Sequence, residues 1–427
     1  MKPLQIGICA LLGFAVAAHG AVEPWARAVL ETGAGVLLVV WAARVFLTQR
    51  DSLLISPLLP PLLGLVLLAS GQLVFGATAS AYDTRVDLQL LVAYAVLLFL
   101  ASQAFRDPDD WRFFIWFAMC LGFAVSLFGI LQHLTFNGKL YWVREMRFGG
   151  IPFGPYVNRN HFAGFAELVI PISLVPLAFG KVRRERLFIV GVLALFPIGA
   201  LFLCASRGGL ISFAAEILAL VVLMILRRSA GKHVLAGVGI LALSFALVSW
   251  LGVGKILERF SSMQSLEVTA GKRATMRHDT WRIFQDHLWG GSGLGTLQIV
   301  YPAYETLYDA KIVNHSHNDY LEALAETGIL GGLCCAWFLG SLFFVSTRQI
   351  FLHDKSFAAA LHISGLVACT GLLVHSLVDF NLHIPANALL FFLMAHLATA
   401  QIFTAPKPSP VSRHLHSEAA NYAEITH

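Results

Sequence analysis

Apolar runs of about twenty residues recur along almost the whole chain, and this pattern restricts the fold more than anything else in it. A helix needs roughly 20 mainly apolar residues to cross a hydrocarbon core of about 30 Å. Such runs lie near 4–22, 28–48, 53–75, 86–104, 112–134, 161–180, 187–205, 208–226, 234–252, 329–346, 357–376 and 386–404. Only 13% of the 427 residues are charged, against about a quarter in soluble domains. The expected fold is all-α: one polytopic membrane domain over 1–404 with about twelve transmembrane helices and a large helical outer loop. Residues 405–427, rich in Pro, Ser and His, read as a disordered tail.

Short-loop cations set the orientation. Arg44 and Arg50, Arg106 and Arg112, Lys181 to Arg186, Arg227 to Lys232, Arg348 and Lys355, and Lys407 and Arg413 fall in every second loop. Those loops, and both termini, are expected to be cytoplasmic. The first run reads as a retained helix, although Ala18–Ala21 is similar to a weak signal-peptidase site. Scattered basic residues and a net charge of +5 give no nucleic-acid footprint. The six cysteines sit inside apolar runs without a C-x-x-C pair, so they read as small hydrophobes.

Two outer segments, 135–160 and 253–320, carry the unusual chemistry. The first sets Lys139, Arg144, Arg147 and Arg159 against Glu145 alone, on the side where cations are unfavoured, which suggests an anionic ligand. The second ends in Asn314-His315-Ser316-His317-Asn318-Asp319, followed by Glu322 and Glu326 one helical turn apart. A histidine there can take a proton from a hydroxyl; the alternative is a polar helix start capped by Asn318 or Asp319. His315, His317 and Asp319 alternate as metal ligands on a strand would, but the adjoining pattern is helical and no metal is expected.

Ser206-Arg207-Gly208-Gly209 forms a tight turn between spans. Its guanidinium can snorkel or hold a phosphate. Arg273, Arg277 and Trp281 share one face of an amphipathic helix over 271–287, suited to a membrane surface or a lipid phosphate. Gly290–Gly295 reads as a flexible turn, since it lacks the spacing of a nucleotide loop. Tyr301, Tyr304 and Tyr308 recur at helical spacing and can stack on sugars or anchor an interface. Asn158, Arg159, Asn160 and His161 open the sixth span. Asp379 and Asn381 stand between the last two, where Asp379 needs a partner such as Arg207.

Together these motifs resemble the O-antigen ligase and polymerase superfamily. His317-Asn318, nine residues, then Gly328-x-x-Gly331 is similar to its signature. Asn158–Gly164, Ser206–Gly209, Arg273–Gly295 and Asp379–Asn387 resemble further family runs in the same order, while the first five spans match only in being hydrophobic. Arg277 stands where an aromatic is expected, and Leu288 where Pro is usual.

The resemblance implies a bacterial inner-membrane glycosyltransferase whose site faces the periplasm. Its donor would be a glycan on undecaprenyl pyrophosphate. Its acceptor would be a hydroxyl on lipid A–core (a ligase) or on a second lipid-linked glycan (a polymerase). His317 would be the base, Arg207 and Arg273 would hold the pyrophosphate, and no cofactor is implied. Asn158, Arg159, Asn160, His161, Arg277, His315, Asn318, Asp379 and Asn381 would bind substrate. A flippase for the same lipid is the rival of another class, although charge gathered at one face favours an enzyme; a scaffold protein leaves that charge without a reason.

Overall fold

The computed structural model describes residues 2–48, 53–145, 151–227, 263–307, 312–352 and 357–402, with isolated helical positions between 238 and 246. The ninth expected span, the 405–427 tail, Arg147 and Tyr308 lie outside the described residues.

Lipid offers no hydrogen bonds, so a spanning segment must satisfy its backbone internally, and helices do so. The main helices are α1 (Lys2–Ala17), α2 (Pro24–Thr48), α3 (Leu59–Val74), α4 (Ala81–Ala104), α5 (Pro108–Leu134), α6 (Arg159–Ala178), α7 (Leu187–Cys204), α8 (Arg207–Leu226), α9 (Met263–Asp286), α10 (Asp319–Leu352), α11 (Phe357–His375) and α12 (Pro385–Thr399). Among the described residues no strand forms, and eight helices are long and apolar enough to cross a bilayer. The shorter apolar helices α1, α3 and α12 coincide with three more expected spans. Helix α1 packs on α2, α4, α5 and α12, and Gln5 Nε2 donates to the Ala104 carbonyl at 2.8 Å.

Side-chain caps fix where helices begin. Asn158 accepts from Asn160 N at the start of α6, and Ser206 accepts from Gly209 N at the start of α8. Ala205, in the left-handed region at φ 50°, ends α7 and turns the chain straight into α8. Every residue of α6 from His161 to Ala178 is buried. This helix forms the centre, enclosed by α5, α7, α8, α11 and α12.

The basic loops gather at one end. Arg186 lies over Trp116 of α5 and Arg112 over Phe357 of α11. Arg227 Nη1 donates to the Ile350 carbonyl of α10 at 2.5 Å. The starts of α6, α8, α10 and α12 and the end of α11 meet at the opposite end.

Helix α10 differs from the expected span at 329–346. It begins at Asp319 and breaks at Gly328 (φ 63°, ψ −163°), a conformation open only to glycine. An added Cβ there would meet the Trp289 carbonyl oxygen at 2.3 Å. The break releases two amides from the helix: Ile329 N donates to Leu288 O at 2.8 Å and Leu330 N to Trp289 O at 3.2 Å. The glycine turn on the other side is correspondingly fastened rather than flexible. Ser292 N and Gly293 N donate to Ala325 O and Glu326 O at 2.9 and 3.0 Å. Gly295 N and Leu297 N donate to the Glu326 carboxylate, both at 2.9 Å.

Candidate functional site

The turn after α11 carries Asp379 into the meeting point of four elements. The carboxylate is buried. Its Oδ1 lies 3.1 Å from His317 Nδ1 and accepts from Phe380 N at 3.0 Å. Its Oδ2 accepts from Asn160 Nδ2 at 2.5 Å and lies 3.8 Å from Arg273 Nη2. Arg273 Nη1 donates to the neighbouring Val378 carbonyl at 2.8 Å. Burial pushes the Asp379 carboxyl up, but the His317 hydrogen bond and the surrounding imidazoles outweigh it and hold it well below the usual carboxylate range.

A carboxylate only accepts, so Nδ1 of His317 carries a hydrogen, and in the neutral form of the ring the lone pair lies on Nε2. His317 sits at φ 54°, a left-handed conformation that histidine tolerates better than most residues. The residues beside it fix that turn. Ser316 N and Oγ donate to Glu322 Oε2 at 2.9 and 3.1 Å. Asn318 caps α10 by accepting from Leu321 N at 2.9 Å, and its Nδ2 donates to Leu377 O at 3.0 Å. The capping reading of Asn318 therefore holds, and the cap is what aims His317.

Asn160 extends the network, since its Oδ1 accepts from Ser206 Oγ at 2.9 Å. Arg207, half-buried, follows directly. A Cβ on Gly208 would stand 3.2 Å from the Val378 side chain, so the first residues of α8 lie against the turn that Arg273 holds. Asp379 is thus partnered by His317, Asn160 and Arg273. Arg277 is half-buried on α9 and makes no ion pair among the described residues.

Asn158, Arg159, Asn160, His161 and His315 line a cavity of about 900 Å³, together with Phe380 and His383. His317 and Asp379 are not in its lining. The Phe380 ring packs against His315, His161 and His317, with centroids 4.3, 4.8 and 5.0 Å away. Asn381 is a buried brace: its Oδ1 accepts from Asn387 Nδ2 at 3.1 Å, and Asn387 also holds the His161 carbonyl at 2.8 Å and the Tyr156 hydroxyl at 2.9 Å. A second, apolar cavity of about 410 Å³ shares Leu91, Tyr94 and Leu382 with the first.

Several expectations change. Lys139 pairs with Glu145 at 3.3 Å and Arg144 pairs with Glu23, so those cations are matched within the protein. Tyr301 and Tyr304 donate to Asp279 and Asp286 at 3.1 and 2.8 Å, which makes them braces of the loop. His315, His317 and Asp319 do not converge, because His317 turns to Asp379 while Asp319 accepts from His383 Nδ1 at 2.8 Å. Burial lowers His383, but the charge of Glu322 and the hydrogen bond to Asp319 prevail and the ring keeps its proton well above the usual histidine range.

The sequence reading missed His383 as a site residue, and it missed the buried pair of Glu167 and His375, 2.9 Å apart beneath the Ser206 turn. The available signal was cost: a carboxylate inside an apolar span requires a partner.

No curated protein matches the chain at a significant level. Residues 190–336 match the family model described as O-antigen ligase, a stretch that contains Arg207, Arg273, Arg277, His315, His317 and Asn318 but neither Asn158–His161 nor Asp379. Such a family works on lipid-linked glycans in a membrane, in keeping with the apolar helices found here. That match supports the O-antigen ligase and polymerase superfamily for this stretch of the chain.

Proposed function

We propose that this protein is an O-antigen ligase-like glycosyltransferase of the bacterial inner membrane. It moves a glycan from undecaprenyl pyrophosphate onto a hydroxyl of lipid A–core at the periplasmic face. The observation that carries this reading is the buried Asp379 carboxylate, which orients His317 through Nδ1 while Arg273 stands on its other oxygen.

In this reading His317 Nε2 takes the acceptor hydroxyl's proton as the oxygen attacks the anomeric carbon, and the imidazolium formed is stabilised by Asp379. Arg207 and Arg273 bind the pyrophosphate and steady the charge that develops on it as it leaves. A single displacement inverts the anomeric centre. Because pyrophosphate leaves readily between two guanidiniums, no metal is assigned to this step. The 900 Å³ cavity takes sugars, and the adjoining apolar cavity takes the start of the polyprenyl tail.

The test is glycan transfer in vivo in a strain lacking the native gene, comparing wild type with His317→Ala at equal membrane abundance. Loss of transfer with accumulation of lipid-linked donor supports the reading, and full activity in the variant overturns it. Loss of capped lipid A identifies a ligase, and loss of long polymer identifies a polymerase. Transfer by purified protein in detergent, where no transport is possible, separates both from a flippase.

A further inference from the structure

Across Phe380 from His317, two imidazoles meet on a single carboxylate oxygen. Glu322 is buried, and its Oε1 lies 2.7 Å from His315 Nδ1 and 3.3 Å from His383 Nε2. The far side of each group is already held. Glu322 Oε2 accepts from Ser316 N and Oγ, His383 Nδ1 donates to Asp319, and the His315 ring stacks on Phe380. One ligand atom from each of His315, Glu322 and His383 lies within 4.8 Å of the other two.

The donor set and its spacing suit a cation better than a chance contact. Ligands at about 2.0–2.1 Å from a tetrahedral zinc ion stand roughly 3.3 Å apart. The separation between His383 and Glu322 already has that value, the one between His315 and Glu322 falls short of it by about 0.6 Å, and all three ligand atoms lie within 4.8 Å of one another. Two imidazole nitrogens with one carboxylate form the protein part of an open zinc site, with a further position left for water or an oxygen ligand. Magnesium and calcium prefer oxygen alone. His383 also has the feature that metal-bound histidines nearly always show: a carboxylate on its other ring nitrogen, which aims the free lone pair. Asp319 and Glu322 together balance a dication when both imidazoles are neutral. Without an ion, the same geometry needs His383 protonated on both nitrogens, so a proton and a dication compete for one place.

We propose that His315, Glu322 and His383 bind one divalent transition-metal ion of the zinc class, with Asp319 orienting His383 and the ion's open position facing the 900 Å³ cavity. This departs from the sequence expectation of no metal. It does not rest on the glycosyl-transfer reading, and the displacement assigned to His317 does not pass through the ion.

The test uses full-length protein purified in detergent without a polyhistidine tag, stripped with chelator and dialysed against buffered Zn²⁺. Metal is counted by mass spectrometry. The expected result is one tightly held equivalent in the wild type and in His317→Ala. In Glu322→Gln and His383→Gln that equivalent is lost, and in Asp319→Asn it binds about 10–100-fold more weakly. A wild type holding no tight equivalent, or Glu322→Gln holding it unchanged, overturns the proposal in favour of a proton-bridged network. Should those variants fail to fold, Co²⁺-loaded wild type decides. Intense visible bands of a low-coordinate cobalt–imidazole site support the proposal, and the weak bands of the hexaaqua ion overturn it.

Discussion

Replacing Asp379 with Asn tests the core of the site with almost no change in shape. The carboxylate now accepts from His317 and Phe380 N on one oxygen and from Asn160 on the other, with Arg273 3.8 Å away. An amide has one acceptor and one donor edge, so in either orientation its NH₂ faces a donor. Keeping the oxygen towards His317 and Phe380 turns the NH₂ onto that of Asn160. Flipping Asn160 to answer it breaks the hydrogen bond from Ser206. A hydrogen bond to a charged group contributes about 1.5–3 kcal/mol. The imidazolium that forms during transfer also loses its counter-charge, and the same carboxylate-to-amide change, which there also leaves the ring in the wrong tautomer, lowers kcat by about 10⁴ in serine-protease triads. The expectation is a fall of at least about 100-fold, equivalent to roughly 2.7 kcal/mol in the barrier. The assay is the initial rate of glycan transfer from lipid-linked donor, with variant and wild type at matched abundance in membranes. A rate within threefold of wild type would show that Asp379 is only a structural brace and that His317 needs no such partner.

Further outcomes follow from other contacts. Arg273→Ala should abolish most transfer while Arg273→Lys restores part of it, since an ammonium keeps the charge but not the planar fork; equal activity of both variants in the same assay argues against pyrophosphate binding there. Ser206→Ala removes the cap of α8 and the link to Asn160, and should lower thermal stability by about 0.5–2 kcal/mol. Gly328→Ala forces a Cβ to within 2.3 Å of a backbone oxygen at φ 63° and should sharply reduce the amount of folded protein in the membrane. Gly340→Ala, with open space around it, should leave that amount unchanged. In chelated protein, the raised proton affinity of His383 stabilises the fold fully below its ordinary value near about pH 6.5, and that contribution is lost as pH rises through the raised value. The thermal midpoint should therefore decline with alkalinity more steeply than in His383→Gln.

Most of the helices were legible because a spanning segment must be long, apolar and continuous, and those properties are local. The same logic marked Asn318 as a cap, since its side chain bonds within three residues of itself; Asn158 and Ser206 cap helices in the same local way. Partnerships across the bundle were not legible. Asp379, read as needing a partner, meets His317, Asn160 and Arg273, each more than sixty residues away. Arg273 reaches that carboxylate from α9, which packs against α10. His383 looked like an ordinary turn residue because the groups that give it meaning, Asp319 and Glu322, come from another helix. Arg144 misled for the converse reason: Glu23, which neutralises it, lies far earlier in the chain, whereas Arg159 of the same segment does line the cavity.

The seam between the glycine turn and the break in α10 has a mechanical consequence. Six backbone amides cross it, and at about 0.5–1.5 kcal/mol each they resist separation by roughly 3–9 kcal/mol. A segment riveted in this way cannot serve as a door. Residues 288–297 and the first turns of α10 travel as one body, and His317, two residues before α10, travels with them. Any widening of the two adjoining cavities must therefore come from the helices around this unit rather than from within it.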